Sequence, residues 1–194
     1  YTVTDASAGV LSGGPVYYPQ SDNVDFVAYY PYGTASGGAT AAGTVNTTDY
    51  TYNISLAGQT DAAAQNALDV LYAKKANIAK SGTAVNLAFG HVLSKVTLDV
   101  KAGEGIAQAD IRNLAASSVE FGGMPQTATL GLQDGRLTAG AVGRFNPVKA
   151  ATATYDATFI ALVVPQNGTA GRTMVFTVDG KPYTGTIPSD DAFA

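Results

Sequence analysis

Cysteine and tryptophan are absent from this chain of 194 residues, histidine occurs once, and charged side chains make up only 13% of it. Without cysteine there is no disulfide, no thiolate zinc site, no iron–sulfur cluster and no thiol nucleophile. With His91 as the single histidine, a multi-histidine metal site cannot form within one chain. No stretch of 18 or more apolar residues occurs, so no helix of this sequence is long and apolar enough to cross a bilayer. Eleven Lys and Arg stand against fifteen Asp and Glu, giving net −4, and the basic residues are scattered. That balance excludes nucleic acid and anionic membrane surfaces as direct partners. What is present is a hydrophobic fraction of 46%, enough to offset the ordering entropy of one large or two small domains. The low charge also leaves surface for a partner, and the Gly- and Thr-rich, Lys-poor composition suits an extracytoplasmic bacterial protein.

Short β-favouring runs separated by turn residues dominate, the pattern of an all-β sandwich rather than of alternating βαβ units. Val24, Phe26 and Ala28 alternate in a strand that Pro31 ends, since proline cannot donate to a ladder. Residues 33–48 read as a loop, and Tyr50, Tyr52, Ile54 and Leu56 then repeat with period two. Thr60 or Asp61 can cap a short helical run over 61–67, which leads into an alternating strand at Leu68 to Tyr72. The polar stretch from Lys74 to Gly82 reads as a connection and sets the expected domains at 1–82 and 83–194. Val85, Leu87 and Phe89 fall on odd positions but Val96, Leu98 and Val100 on even ones, so a bulge or bend is expected near Gly90-His91. Asp134-Gly135, Asn167-Gly168 and Asp179-Gly180 are turn signals, at least two of them for hairpins. The apolar run from Phe159 to Val164, stopped by Pro165, predicts a central strand covered on both faces.

Several of these segments, in this order, carry a resemblance. Phe26 to Tyr32, then Gln65 with Leu68-Asp69-Val70-Leu71-Tyr72-Ala73, then Val85 to Val96, are similar to blocks of the fimbrillin-like proteins of Bacteroidetes, particularly the Mfa-like branch. Ala161 to Gln166 and Tyr183 to Pro188 resemble later blocks of the same family. The resemblance implies two transthyretin-like Greek-key β-sandwich domains in tandem. It also implies a lipid-anchored protein on the extracellular face of the bacterial outer membrane, serving as shaft, tip or anchor of a pilus. Its partners would be other pilus subunits joined by strand exchange, in which ladder hydrogen bonds give affinity and alternate side chains give selectivity. The family pattern further implies a lipobox cysteine and a strand before Tyr1, and a Tyr-rich strand after Ala194, so the second domain is expected to lack at least its last strand. The first arginine is Arg112, so the arginine-specific maturation cut known for part of the family would fall before Tyr1 or not occur. No catalytic residue or cofactor is carried over by the resemblance.

Candidate sites are few. A lone His91 without clustered ligands reads as a hydrogen-bonded structural histidine, and Glu104, Glu120 and the Asp residues show no spacing that marks a glycosidase pair. Gly103-Glu104-Gly105 lacks the third glycine of a nucleotide loop and is a turn. Nine of eleven tyrosines lie within residues 1–72, and adjacent tyrosines on a strand must face opposite ways. Tyr17, Tyr30 and Tyr32 are therefore the candidate surface contacts, for a neighbouring subunit or a glycan. The expected function is a non-enzymatic adhesion or pilus subunit, with a surface glycan-binding module as the alternative and an extracellular hydrolase third.

Overall fold

In the computed structural model, residues 2–5, 10–12, 17–31, 43–166 and 171–187 are described. The chain begins with an antiparallel pair, β1 (Thr2–Asp5) and β2 (Val10–Ser12). It continues with β3 (Val24–Tyr30), β4 (Gly43–Asn46), β5 (Thr51–Ser55), α1 (Ala62–Leu68), β6 (Leu71–Ile78) and β7 (Gly90–His91). Next come β8 (Ser94–Val100), α2 (Gln108–Arg112), a 3-10 turn (Ala116–Ser118), β9 (Val119–Pro125), β10 (Thr127–Gly131), β11 (Leu137–Ala139) and β12 (Val142–Phe145). The last elements are β13 (Val148–Ala150), β14 (Ala157–Val163), β15 (Thr173–Val178) and β16 (Lys181–Thr186). The protein is mostly β, every strand pair is antiparallel, and helices are few and short.

Two pairs of sheets enclose the main cores. The sheet β11-β10-β5-β4 faces β3-β6-β7, and Tyr52, Ile54, Ala128 and Leu130 of the first pack with Tyr29 and Tyr72 of the second. The sheet β12-β9-β15-β16 faces β13-β14-β8 through Phe121, Met124, Ala161 and Val163, with Val119, Phe159 and Leu98 extending the core toward α2. In β14 six of seven residues are buried, as the continuous apolar run dictates, and it is the middle strand of its sheet. The Asp179-Gly180 signal forms a two-residue hairpin with both residues at positive φ, 49° and 73°, and Asp134-Gly135 lies in the loop that joins β10 to β11. Asn167-Gly168 lies outside the described residues.

Strand pairing runs across residue 82. β10 pairs along its whole length with β5, so a hairpin from residues 127–139 completes the sheet of β4 and β5. The same chain segments serve both sheet pairs: β9 passes through Gln126 into β10, and β11 passes through Gly140 and Ala141 into β12. Gln126 is the stitch, its N–H donating to Ala141 O at 2.8 Å and its C=O accepting from Leu56 N at 2.8 Å. Lys74 and Lys75, expected in a connection, are instead strand residues of β6 paired with Val27 and Phe26. Of the bulge or bend expected near Gly90-His91, the structure has a bend, at Val92 and Leu93, where the chain switches sheets: β7 pairs with β6 whereas β8 pairs with β14. Residues 85–89 alternate in burial at Val85 and Leu87 but join no ladder.

Asp61 caps α1, its carboxylate accepting from Ala64 N at 2.9 Å. Asp25 accepts from Asn77 N at 2.8 Å and pairs with Lys74, and Asp156 accepts from Ala102 N at 2.9 Å and pairs with Arg112. In each of the three, the backbone N–H bond is the largest influence and holds the carboxyl below its ordinary value of 3.8. A depressed pKa stabilises the fold above the unfolded value, and that stability drains away as pH falls through the folded one. The unfolding midpoint is therefore expected to be nearly flat above about pH 5 and to drop as pH falls below 3.8. Asn caps helices as well as Asp does. Asp61→Asn should thus keep its neutral-pH midpoint and show a shallower acid limb in circular dichroism melts, and an unchanged limb would count against the carboxylate.

Candidate functional site

The second sheet pair is open on one side. β12 and β13 are joined by two residues, Asn146 and Pro147, and form one closed flank. Counting outward from it, β9 lies over β14 and β15 over β8, as the packing of Phe176 and Val178 with Leu98 and Val100 requires. The next strand on one side is β16. Among the described residues no strand faces it, because β8 is the edge of its own sheet.

Burial falls steadily toward that side. Phe121 and Met124 of β9 and Phe159, Ala161 and Val163 of β14 are 0–1% exposed. One strand further out, Met174 and Phe176 of β15 and Val96, Leu98 and Val100 of β8 are only half-buried. All six residues of β16 are exposed, Tyr183 by 46%. In register Tyr183 is opposite Phe176, so its ring belongs to the face that should line a core. A strand at the edge of its sheet beside an exposed apolar face is what an added strand would cover. Lys95, Thr97 and Asp99 lie on the outer face of β8, where they stay in solvent whether or not a neighbour is present.

The tyrosines divide as strand geometry requires. Tyr29 packs inward, 5.4 Å from the Tyr52 ring, whereas Tyr30 is 48% exposed. Tyr17 is 83% exposed beside the half-buried Tyr18. Tyr32 lies outside the described residues. Among the described residues no ring contact joins Tyr17 to Tyr30. Tyr52 and Tyr72 are structural, their hydroxyls donating to Pro31 O at 3.1 Å and Leu132 O at 2.9 Å.

His91 lies on the short strand β7, its Nδ1 2.8 Å from one oxygen of Asp69 and 3.0 Å from the other. It is thus hydrogen-bonded at the surface. Among the described residues no three His, Asp or Glu side chains gather where a metal ion could be held. Sequence reading missed two buried glutamines, Gln59 and Gln65, and the fully buried Arg172. Gln59 and Arg172 stand between Gly and Thr, and Gln65 in an Ala-rich helical run, so none of the three extends a periodic apolar pattern.

Comparison with known proteins agrees with this architecture. Among curated proteins none matches. A solved structure from Bacteroides uniformis is 25% identical, with a TM-score of 0.66 over 92% of this chain and 66% of that one. Another from Bacteroides ovatus is 18% identical, with a TM-score of 0.59 over 95% of this chain and 65% of its own, and shares the fold. Both bear the description "putative cell adhesion protein". The chain therefore spans just under two thirds of the length of each. The family model described as fimbrillin-like matches residues 1–194 in full, and the chain belongs to that family.

Proposed function

We propose that this chain is a cell-surface adhesion or pilus subunit that accepts a β-strand from another subunit along the open edge of β8. One observation carries the reading: β16 is exposed along its entire length and no strand among the described residues faces it. Family membership supports it, since fimbrillin-like proteins imply the cell surface and assembly partners, as does the adhesion description borne by the Bacteroides uniformis structure. The incoming strand would lie between β8 and solvent, cover Tyr183 and Phe176, and complete a β-sandwich that performs its task without chemistry. In this reading the protein is two transthyretin-like sandwich domains in tandem, changing over near residue 82, with the β10–β11 hairpin of the second lent to the first. Lipid anchorage at the outer membrane, and a contact role for Tyr17, Tyr30 and Tyr32 at subunit junctions, belong to the same proposal.

The test is Tyr183→Asp. The side chain lies on an exposed strand, so the unfolding midpoint should hardly move. An added strand would bury the new carboxylate without a partner, which should cut incorporation into surface fibres by roughly tenfold or more. Hydrogen exchange across residues 94–100 should slow in fibres relative to the isolated chain. Normal incorporation of the variant, or β8 amides still exchanging freely in fibres, would refute strand addition there.

A further inference from the structure

We infer that the cleft beneath α1 is a binding site for a neutral saccharide, separate from the open edge and independent of strand addition. The cleft has a volume of about 840 Å³, within the range of small-molecule sites. One face of α1 forms its roof through Gln65, Asn66 and Asp69, and its floor comes from Leu93, Ile160 and Leu162. His91 and Lys95 stand on its walls.

Asp69 is out of place for stability alone. It occupies the C-cap of α1, where the helix's partial negative charge disfavours a carboxylate, and no basic residue lies in the last turn. No backbone N–H bonds to its carboxylate in the described structure. What holds it is His91, which approaches both oxygens at 2.8 and 3.0 Å. The result is an oriented acceptor lining the cleft, with its side chain 27% exposed. Since Nδ1 donates to Asp69, Nε2 of a neutral ring is an acceptor as well. One turn back on the same face, Asn66 is exposed and supplies an amide with both donors and an acceptor.

Charge balance sets the ligand class. One carboxylate and one ammonium share the cleft, so a strong anion would meet Asp69 and a cation would meet Lys95. Hydroxyl groups, each donor and acceptor at once, suit the mixture of Asp69, Asn66, His91 and Lys95. The apolar part of the lining is the half-buried Ile160, with Leu93 and Leu162 almost fully covered at 6% and 7% exposed. A pyranose presents the matching combination, equatorial hydroxyls around a ring of C–H groups.

The sole histidine makes the experiment direct, because the imidazole resonances of His91 need no assignment against others. The chain would be titrated by NMR with neutral tetrasaccharides of glucose, mannose, galactose and N-acetylglucosamine, each to about 20 mM. Saturable movement of the His91 signals with at least one of them is expected. Asn66→Ala, at an exposed position, should weaken that binding by roughly tenfold with the unfolding midpoint unchanged. Tyr17→Ala and Tyr183→Asp should leave it intact, which separates this site from the tyrosines and from strand addition. Silent His91 signals with all four sugars, an effect seen only with acidic sugars or inorganic phosphate, or an Asn66→Ala chain that binds as before would each overturn the assignment.

Discussion

Gly123→Ala is expected to cost the chain on the order of 3 kcal/mol or more, among the largest effects a single methyl group can have. Two causes add. Gly123 has φ of +72°, a region that costs an L-residue about 1–2 kcal/mol. A Cβ there would stand 2.2 Å from Gly171 O and 2.9 Å from its carbonyl carbon. Those atoms are backbone and cannot rotate away, so the segment entering β15 would have to move with the buried Arg172 behind it. The close approach exists because Gly123 is the unpaired residue where β9 leaves β15 and the β12 register shifts, Gly143 being opposite Met124 and Arg144 opposite Gly122. Gly180→Ala is the matched control: its φ is +73°, yet a Cβ there meets nothing within 4 Å. Urea unfolding followed by circular dichroism should therefore show a small loss at Gly180, about 1–2 kcal/mol, and a much larger one at Gly123. Equal losses would mean that the backbone gives way freely and that the bulge is not a fixed point.

That bulge stands at the transition between the two sheet pairs, the part of the fold least visible in the sequence. Local patterns were legible: β5, β14, the Asp61-capped α1 and the Asp179-Gly180 hairpin all follow from short-range chemistry. Periodicity reports which side of a strand is buried but not what it pairs with. The turn signal at Asp134-Gly135 marks a hairpin, and nothing in it names β5, more than seventy residues earlier, as the neighbour of β10. The same limit explains residues 85–89, where alternate burial exists without a ladder. The exposed inner face of β16 is a property of three-dimensional packing that no local pattern encodes. The cleft could not be read at all, since Asp69 and His91 meet only after β7 folds back beside α1.

Gln59→Ala should be the most damaging change at a residue that sequence reading would have left in solvent. Beyond the end of β13, the β14 edge at Leu162 has no strand beside it, and the Gln59 side-chain amide takes the place of a peptide unit. Its Nε2 donates to Leu162 O at 2.9 Å, and its Oε1 accepts from Leu162 N at 2.7 Å. Gln65 completes the set, its Nε2 donating to Ile160 O at 2.9 Å and to Gln59 Oε1 at 3.2 Å. Both glutamines are under 10% exposed, and together they fasten the segment around α1 to the central strand of the other sheet pair. Truncation to alanine leaves the N–H and C=O of a buried residue unpaired, at about 1–3 kcal/mol for each group. Gln59→Glu keeps the length but sets a second acceptor against Leu162 O and buries a charge, so it should be no better tolerated. The amide of Leu162 is the specific reporter: its hydrogen exchange should quicken by roughly tenfold or more in Gln59→Ala, beyond any change at Phe159 in the middle of the same strand. If the Leu162 amide stays as protected as in the parent chain, another group holds that edge.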